Sequence, residues 1–208
     1  MDYYKYGKDE IDYLRNRDPL LGSAIDKIGM INRKVNPDLF SALISSIISQ
    51  QISTKAANTV ERRLTENIGE ITAENIYKAQ QSQIQECGMS NRKAAYIKNI
   101  AELSVEGTID FESLSRFKDE DFIHEITKIK GVGEWTAEML LIHSLKREDV
   151  LSFKDLGIRR GIEALYGLDQ LTKKEFIEFQ KRYSPYGTVA SIYLWEISSG
   201  AYDDELFT

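Results

Sequence analysis

The chain has 208 residues, 42% of them hydrophobic, enough to bury a substantial core in one compact unit or two closely packed lobes. A single cysteine, Cys87, excludes an intramolecular disulfide and any four-cysteine zinc or iron–sulfur site. Lys and Arg number 27 against 33 Asp and Glu, a net charge of −6, whereas a nucleic-acid binder is usually basic, so where the charges fall matters more than their sum.

The N-terminus, MDYYKYGKDEIDYLRNRD, is polar and unlike a signal peptide, and no apolar run reaches membrane-spanning length. A cytoplasmic protein without a membrane partner is expected. After the tyrosine-rich start (Tyr3, Tyr4, Tyr6, Tyr13), a first helix is predicted over Leu20 to Ile28, stopping before Gly29. Beyond Pro37, Leu39, Phe40, Leu43, Ile44, Ile47 and Ile48 fill one broad face and predict a central core helix. That helix meets Gln50-Gln51-Ile52-Ser53, where Ser53 can cap the next helix, carrying Ala56, Ala57, Val60, Leu64 and Ile68 up to Gly69. The adjacent glutamines form either a polar corner or a projecting pair long enough to fill a gap in a partner.

Thr72 opens a further helix, and Ser82 with Gln85 has capping-box spacing for a short one ending at Gly88. Ser90 caps a helix with Ala94, Ala95, Ile97, Ile100, Ala101 and Leu103, closed by Gly107. Asp110 and Asp119 have the look of caps for the next two helices, the second ending at Lys130. A tight Gly131-Val132-Gly133 hairpin then leads into a helix from Glu134 to about Lys146, and a short loop delivers Asp155 to a helix ending near Gly167. Thr172 and Glu175 form a capping box for Phe176, Ile177, Phe179 and Tyr183. Ser184 and Pro185 read as cap and first-turn proline of a last helix running through Trp195 to Gly200. The whole predicts an all-α fold: an irregular bundle of about ten helices in two lobes with a central groove, containing a helix-hairpin-helix.

His124 and His143 stand alone, outside any H-x-x-x-H or H-E-x-x-H pattern, and there is no Walker loop, dinucleotide fingerprint or nucleophile elbow. The hairpin has a different chemistry. Two glycines beside a helix N-terminus let an anion approach the backbone, where unpaired N–H groups and the helix dipole can grip a phosphate without reading sequence. Lys128, Lys130, Arg159 and Arg160 bracket this stretch, Arg92 and Lys93 lie near another turn, and acids gather at Asp203, Asp204 and Glu205. Asp155 can be a helix cap, a chemical group positioned by the grip, or both. Trp135 and Trp195 can be core or can stack on a base.

Gly131-Val132-Gly133-Glu134-Trp135-Thr136-Ala137 followed by Asp155-Leu156-Gly157-Ile158-Arg159-Arg160 resembles the helix-hairpin-helix (HhH-GPD) DNA glycosylases, in particular the 3-methyladenine DNA glycosylase II branch. Ser49-Gln50-Gln51-Ile52-Ser53, Ser90-Asn91-Arg92-Lys93-Ala94 and Trp195 fit the same branch, over roughly Asp18 to Gly200. The resemblance implies that Asp155 is the catalytic carboxylate and that Gly131, Val132, Gly133 and Thr136 bind a DNA phosphate. It implies Gln51 as the wedge that enters the duplex, and Trp135, Met139 and Trp195 as the base pocket. It also implies no cofactor beyond a monovalent Na+ or K+ on the main-chain carbonyls of Thr127, Ile129 and Gly131.

Members of the family that also cut the strand carry a lysine at the position of Trp135, so simple base release by water is expected. The expected activity is that of a monomeric, monofunctional glycosylase. It would flip an alkylated purine (3-methyladenine or 7-methylguanine type) out of damaged double-stranded DNA and hydrolyse its N-glycosidic bond, in base excision repair. Residues 1–208 are read as one glycosylase unit of two closely packed lobes, without the extra N-terminal β-domain of some relatives. The rivals are a non-catalytic helix-hairpin-helix DNA-binding module and an oxidised-purine glycosylase, the latter disfavoured by Trp135.

Overall fold

The computed structural model describes residues 2–200, so the acidic cluster at Asp203, Asp204 and Glu205 lies outside the described residues. The chain divides into two compact units, one made of Met1–Val35 with Lys146–Thr208, the other of Asn36–Leu145. In chain order, β1 (Asp2–Tyr3), α1 (Lys8–Arg17), α2 (Pro19–Ile28) and β2 (Lys34–Val35) begin the first unit. The second holds α3 (Leu39–Ser49), α4 (Thr54–Ile68), α5 (Ala73–Lys78), α6 (Gln81–Glu86), α7 (Asn91–Val105), α8 (Phe111–Leu114), α9 (Asp119–Ile126) and α10 (Glu134–His143). The chain then returns to the first unit for α11 (Leu156–Tyr166), α12 (Lys173–Tyr183) and α13 (Gly187–Ser198). No helix among the described residues is long and apolar enough to cross a membrane.

The mostly helical class stands, with thirteen helices described rather than about ten. The first expected helix has a predecessor: α1 lies in the tyrosine-rich start, where Glu10 accepts a hydrogen bond from Gly7 N–H at 2.8 Å and only Ile11 and Leu14 are buried. So short an apolar face leaves little periodic signal. β1 and β2 pair antiparallel, Asp2 with Val35 and Tyr3 with Lys34, two residues each. The caps at Ser53, Thr72, Ser90, Asp110, Asp155 and Thr172 are in place.

Three caps fall elsewhere. The box of α6 is formed by Gln80 and Gln83, whose side chain accepts from Gln80 N–H at 2.8 Å, rather than by Ser82 and Gln85. Lys118 is the cap residue of α9, and Asp119 sits in the first turn with Glu120 and Asp121, where the negative charges favour the helix dipole. Ser184 ends α12, its N–H donating to Gln180 O at 3.0 Å, and α13 starts only after Tyr186.

In the first unit, α11 and α13 approach closely because Gly161 has no side chain: a Cβ there would fall 2.2 Å from the backbone oxygen of Leu194. Ile158, Ile162, Phe176, Tyr183, Ile192, Tyr193 and Leu194 build the core around that contact with Leu14, Leu21 and Ile25. Asp18, only 2% exposed, ties the ends of three helices together. Its carboxylate caps α2 through Leu20 and Leu21 N–H (3.2 and 3.1 Å) and accepts from Tyr166 and Tyr183 hydroxyls and Arg182 Nη1. Burial alone would raise the Asp18 pKa. The donors, Tyr166 first, outweigh it and hold the carboxyl below its ordinary value. In the second unit, α3 is the core helix its sequence predicts, with Leu39, Phe40, Leu43, Ile44, Ile47 and Ile48 all buried.

Candidate active site

The hairpin is tighter than its sequence suggests. Helix α9 stops at Ile126 rather than Lys130, because Lys128 N–H bonds Glu125 O, Ile129 N–H bonds Ile126 O and Val132 N–H bonds Ile129 O, each three residues back (3.2, 3.2 and 3.0 Å). Gly131 has φ +95 and lies against the ring of Tyr96; a Cβ would sit 2.4 Å from Tyr96 Cδ2. Both facts demand glycine. Gly133 is the N-cap of α10 and brings no side chain to cover the first turn, whose N–H groups precede the first intrahelical bond, Ala137 N–H to Gly133 O. Val132 and Thr136 are buried. Helix α10 ends at His143, short of Lys146, as Ser144 and Leu145 N–H both turn back to Leu140 O and Lys146 adopts φ +55.

Trp135 and Met139 are four residues apart on α10 and so share a face. Trp135 is 37% exposed, large for an indole, while Met139 is buried. In the same unit Gln51 is exposed and adopts φ +58, a left-handed conformation that costs a non-glycine residue about 1–2 kcal/mol. Its neighbour Gln50 donates from Nε2 to Gly131 O at 3.1 Å. Lys93 Nζ donates to Ile48 O and Gln50 O at 2.7 and 2.6 Å. The carbonyl of Ile129 accepts from Val132 N–H, and that of Gly131 from Gln50 Nε2. Main-chain carbonyls such as these and that of Thr127 are uncharged oxygen donors that a cation could use. Among the described residues no cluster of His, Cys, Asp and Glu could hold a metal.

Asp155 and Trp195 lie in the first unit, and there the structure brings them together. Asp155 caps α11 with Oδ1, which accepts from Ile158 N–H at 2.9 Å, and the same oxygen accepts from Trp195 Nε1–H, also at 2.9 Å. The carboxylate is 7% exposed. Cap and candidate catalytic group are thus one residue. Space for the indole comes from Gly157, where a Cβ would fall 2.8 Å from Trp195 Cδ1 and 3.2 Å from Asp155 Oδ1. The guanidinium of Arg33 stacks 5.2 Å from the centre of the indole. Arg159 stacks on Phe153 at 5.4 Å.

Residues 44–185 match the family described as HhH-GPD superfamily base excision DNA repair protein. The chain belongs to that family. It is similar to DNA-3-methyladenine glycosylase 1 of Schizosaccharomyces pombe, 38% identical over 164 residues, 76% of this chain and 72% of that protein. A DNA-3-methyladenine glycosidase structure from Bacillus halodurans is 35% identical with a TM-score of 0.85, covering 99% of this chain and 95% of the other. The S. pombe 3-methyladenine DNA glycosylase Mag1, solved with abasic DNA, is 34% identical with a TM-score of 0.83, covering 93% and 98%.

The sequence reading picked out Asp155, Trp195, Trp135, Gln51 and the hairpin but not what holds them. Gly157 and Gly161, four apart inside a helix where each costs about 1 kcal/mol against alanine, were the available signal for a close helix contact. Nothing local marks Arg33, Gln50, Lys93 or Tyr96 as supports, since their partners lie 40 or more residues away for Lys93 and 81 for Gln50.

Proposed function

We propose that this protein is a monofunctional DNA glycosylase that releases alkylated purines of the 3-methyladenine and 7-methylguanine type from damaged duplex DNA. The observation that carries the reading is the fixed carboxylate of Asp155, held through one oxygen by the N-terminus of α11 and the indole of Trp195. The hairpin Gly131 to Gly133, with the first-turn main chain through Thr136, grips a phosphate; Gln51 fills the duplex where the target nucleotide leaves; Trp135 and Met139 receive the base, and Trp195 orients the Asp155 carboxylate. The carbonyls of Thr127, Ile129 and Gly131 would hold a monovalent cation, whose charge would favour the phosphate.

The chemistry follows from charge. Alkylation at N3 or N7 makes the purine a cation, and an exposed indole such as Trp135 favours it over a neutral base by about 0.5–2 kcal/mol. The C1′–N bond breaks with its electron pair going to the base, which leaves neutral, and the sugar becomes oxocarbenium-like. The Asp155 carboxylate stabilises that positive charge, water adds at C1′ and its proton is lost to solvent. The leaving group is already activated, so no strong general acid is required. The strand-cutting route needs an amine to attack the sugar, and the indole of Trp135 cannot form a Schiff base. The protein works as one monomeric glycosylase unit in the cytoplasm.

Mass spectrometry of bases released from methylated duplex DNA tests the reading. Wild type releases 3-methyladenine and 7-methylguanine and gives no borohydride-trapped covalent adduct. Absence of base release would sink the activity, and a trapped adduct the monofunctional assignment.

A further inference from the structure

We propose that Gln50 and Lys93 are positioning residues that brace the duplex-entering Gln51 against the phosphate-gripping hairpin, so that base extrusion and backbone grip act as one rigid device. The inference rests on the glycosylase reading and names two residues to which that reading gives no role.

The brace consists of three contacts within Asn36–Leu145. Gln50 Nε2 donates to Gly131 O at 3.1 Å, joining the loop after α3 to the hairpin directly. Lys93, near the start of α7, donates to Ile48 O and Gln50 O at 2.7 and 2.6 Å. Those carbonyls belong to the last turn and C-cap of α3, where they lack intrahelical partners and the helix dipole favours a cation. The same helix α7 presents Tyr96, whose ring touches Gly131. One helix therefore supports both the wedge loop and the hairpin, and the Gln50 amide closes the triangle.

Gln51 needs such support. It is exposed and holds φ +58, a conformation that a non-glycine residue keeps only when its surroundings fix it. The fixing contacts lie just before it in the chain: Lys93 holds the main-chain carbonyls of Ile48 and Gln50, and the Gln50 side chain holds Gly131 O. The lysine ammonium is partly desolvated, and its burial lowers the Lys93 pKa, as expected of a structural tie rather than a solvent-facing charge. Loss of the brace leaves the chemistry of Asp155 intact but lets the wedge and the grip move independently.

The test compares Gln50→Leu and Lys93→Met on two duplexes carrying 7-methylguanine, one opposite cytosine and one opposite an abasic site, under single-turnover conditions with saturating enzyme. The first substrate needs the wedge to unpair the base; the second is already unpaired. Each variant should be slower by about tenfold or more on the paired lesion, the loss expected of one net hydrogen bond in a preorganised site, and unchanged on the unpaired one. An equal loss on both, or on neither, overturns the brace. Should wild type release no base from either, the glycosylase reading fails. The brace is then judged by 2-aminopurine fluorescence in bound duplex, which must rise with wild type and less with the variants, and no difference refutes it.

Discussion

Trp195 Nε1 donates to Asp155 Oδ1 at 2.9 Å, beside a second donor to the same oxygen, Ile158 N–H, at the same distance. Two donors from different helices, α13 and α11, fix the carboxylate rotamer. Trp195 is itself fixed, by Gly157 under its edge and the Arg33 guanidinium over its ring. Trp195→Phe keeps an aromatic surface and deletes the donor. A hydrogen bond to a charged group is worth about 1.5–3 kcal/mol, so kcat should fall about 10- to 100-fold. Single-turnover kinetics on methylated duplex reads this, and a wild-type rate in the variant would show the indole N–H to be idle.

The double duty of Asp155 can be separated by choice of substitution. Asparagine caps a helix about as well as aspartate, so Asp155→Asn should unfold close to the wild-type midpoint and still bind duplex. It cannot supply negative charge to an oxocarbenium-like sugar, and base release should fall by about 100-fold or more. Asp155→Ala should lose the charge and also about 1 kcal/mol of cap. Thermal melts alongside release assays test the pair; an active Asp155→Asn would reduce Asp155 to a cap.

Local signals were the legible part of this chain. Cap residues, apolar periodicity on α3 and α7, and the glycine hairpin all act within a few residues, and they placed most helices. Helix α1 escaped because it buries only Ile11 and Leu14, and the end of α9 was misplaced because three-residue turns continue the look of a helix to Lys130. Asp155 was legible as a cap, and resemblance marked it as the carboxylate now proposed for catalysis. Its bond to Trp195, 40 residues away, was not, because the fold alone brings them together. Long-range supports such as the bond from Gln50 to Gly131 leave no mark on local pattern.

Asp18 predicts a specific acid sensitivity. Its folded-state pKa lies below the ordinary 3.8, so its carboxylate contributes stability that is present in full above that value and is lost as pH falls through the folded-state pKa. Tyr166, pushed up to about 12 by burial and then by Asp18, stays a hydroxyl donor throughout that range. Other carboxylates titrate in the same window, so the difference between wild type and Asp18→Asn isolates this one. At neutral pH the variant should melt lower, having lost the charge-assisted bonds to Arg182 and both tyrosines. The gap should narrow below pH 3.8, and a gap independent of pH would show that Asp18 is not ionised in the fold.

Gly161 offers a test of how the site is held from a distance. Alanine normally stabilises a helix interior by about 0.5–1 kcal/mol over glycine. Here its Cβ would meet the Leu194 carbonyl at 2.2 Å, backbone against backbone, so α11 and α13 must separate. Overpacking of that kind costs about 1–3 kcal/mol. Trp195 follows Leu194 on α13 and Asp155 caps α11, so separation lengthens the bond from Nε1 to the carboxylate. Gly161→Ala should therefore melt lower than wild type and lose base release, whereas Gly167→Ala, at the end of α11 with nothing near its Cβ, should perturb stability through its φ of +62 and spare the chemistry. Equal rates in wild type and Gly161→Ala would mean that the helix contact does not govern the carboxylate.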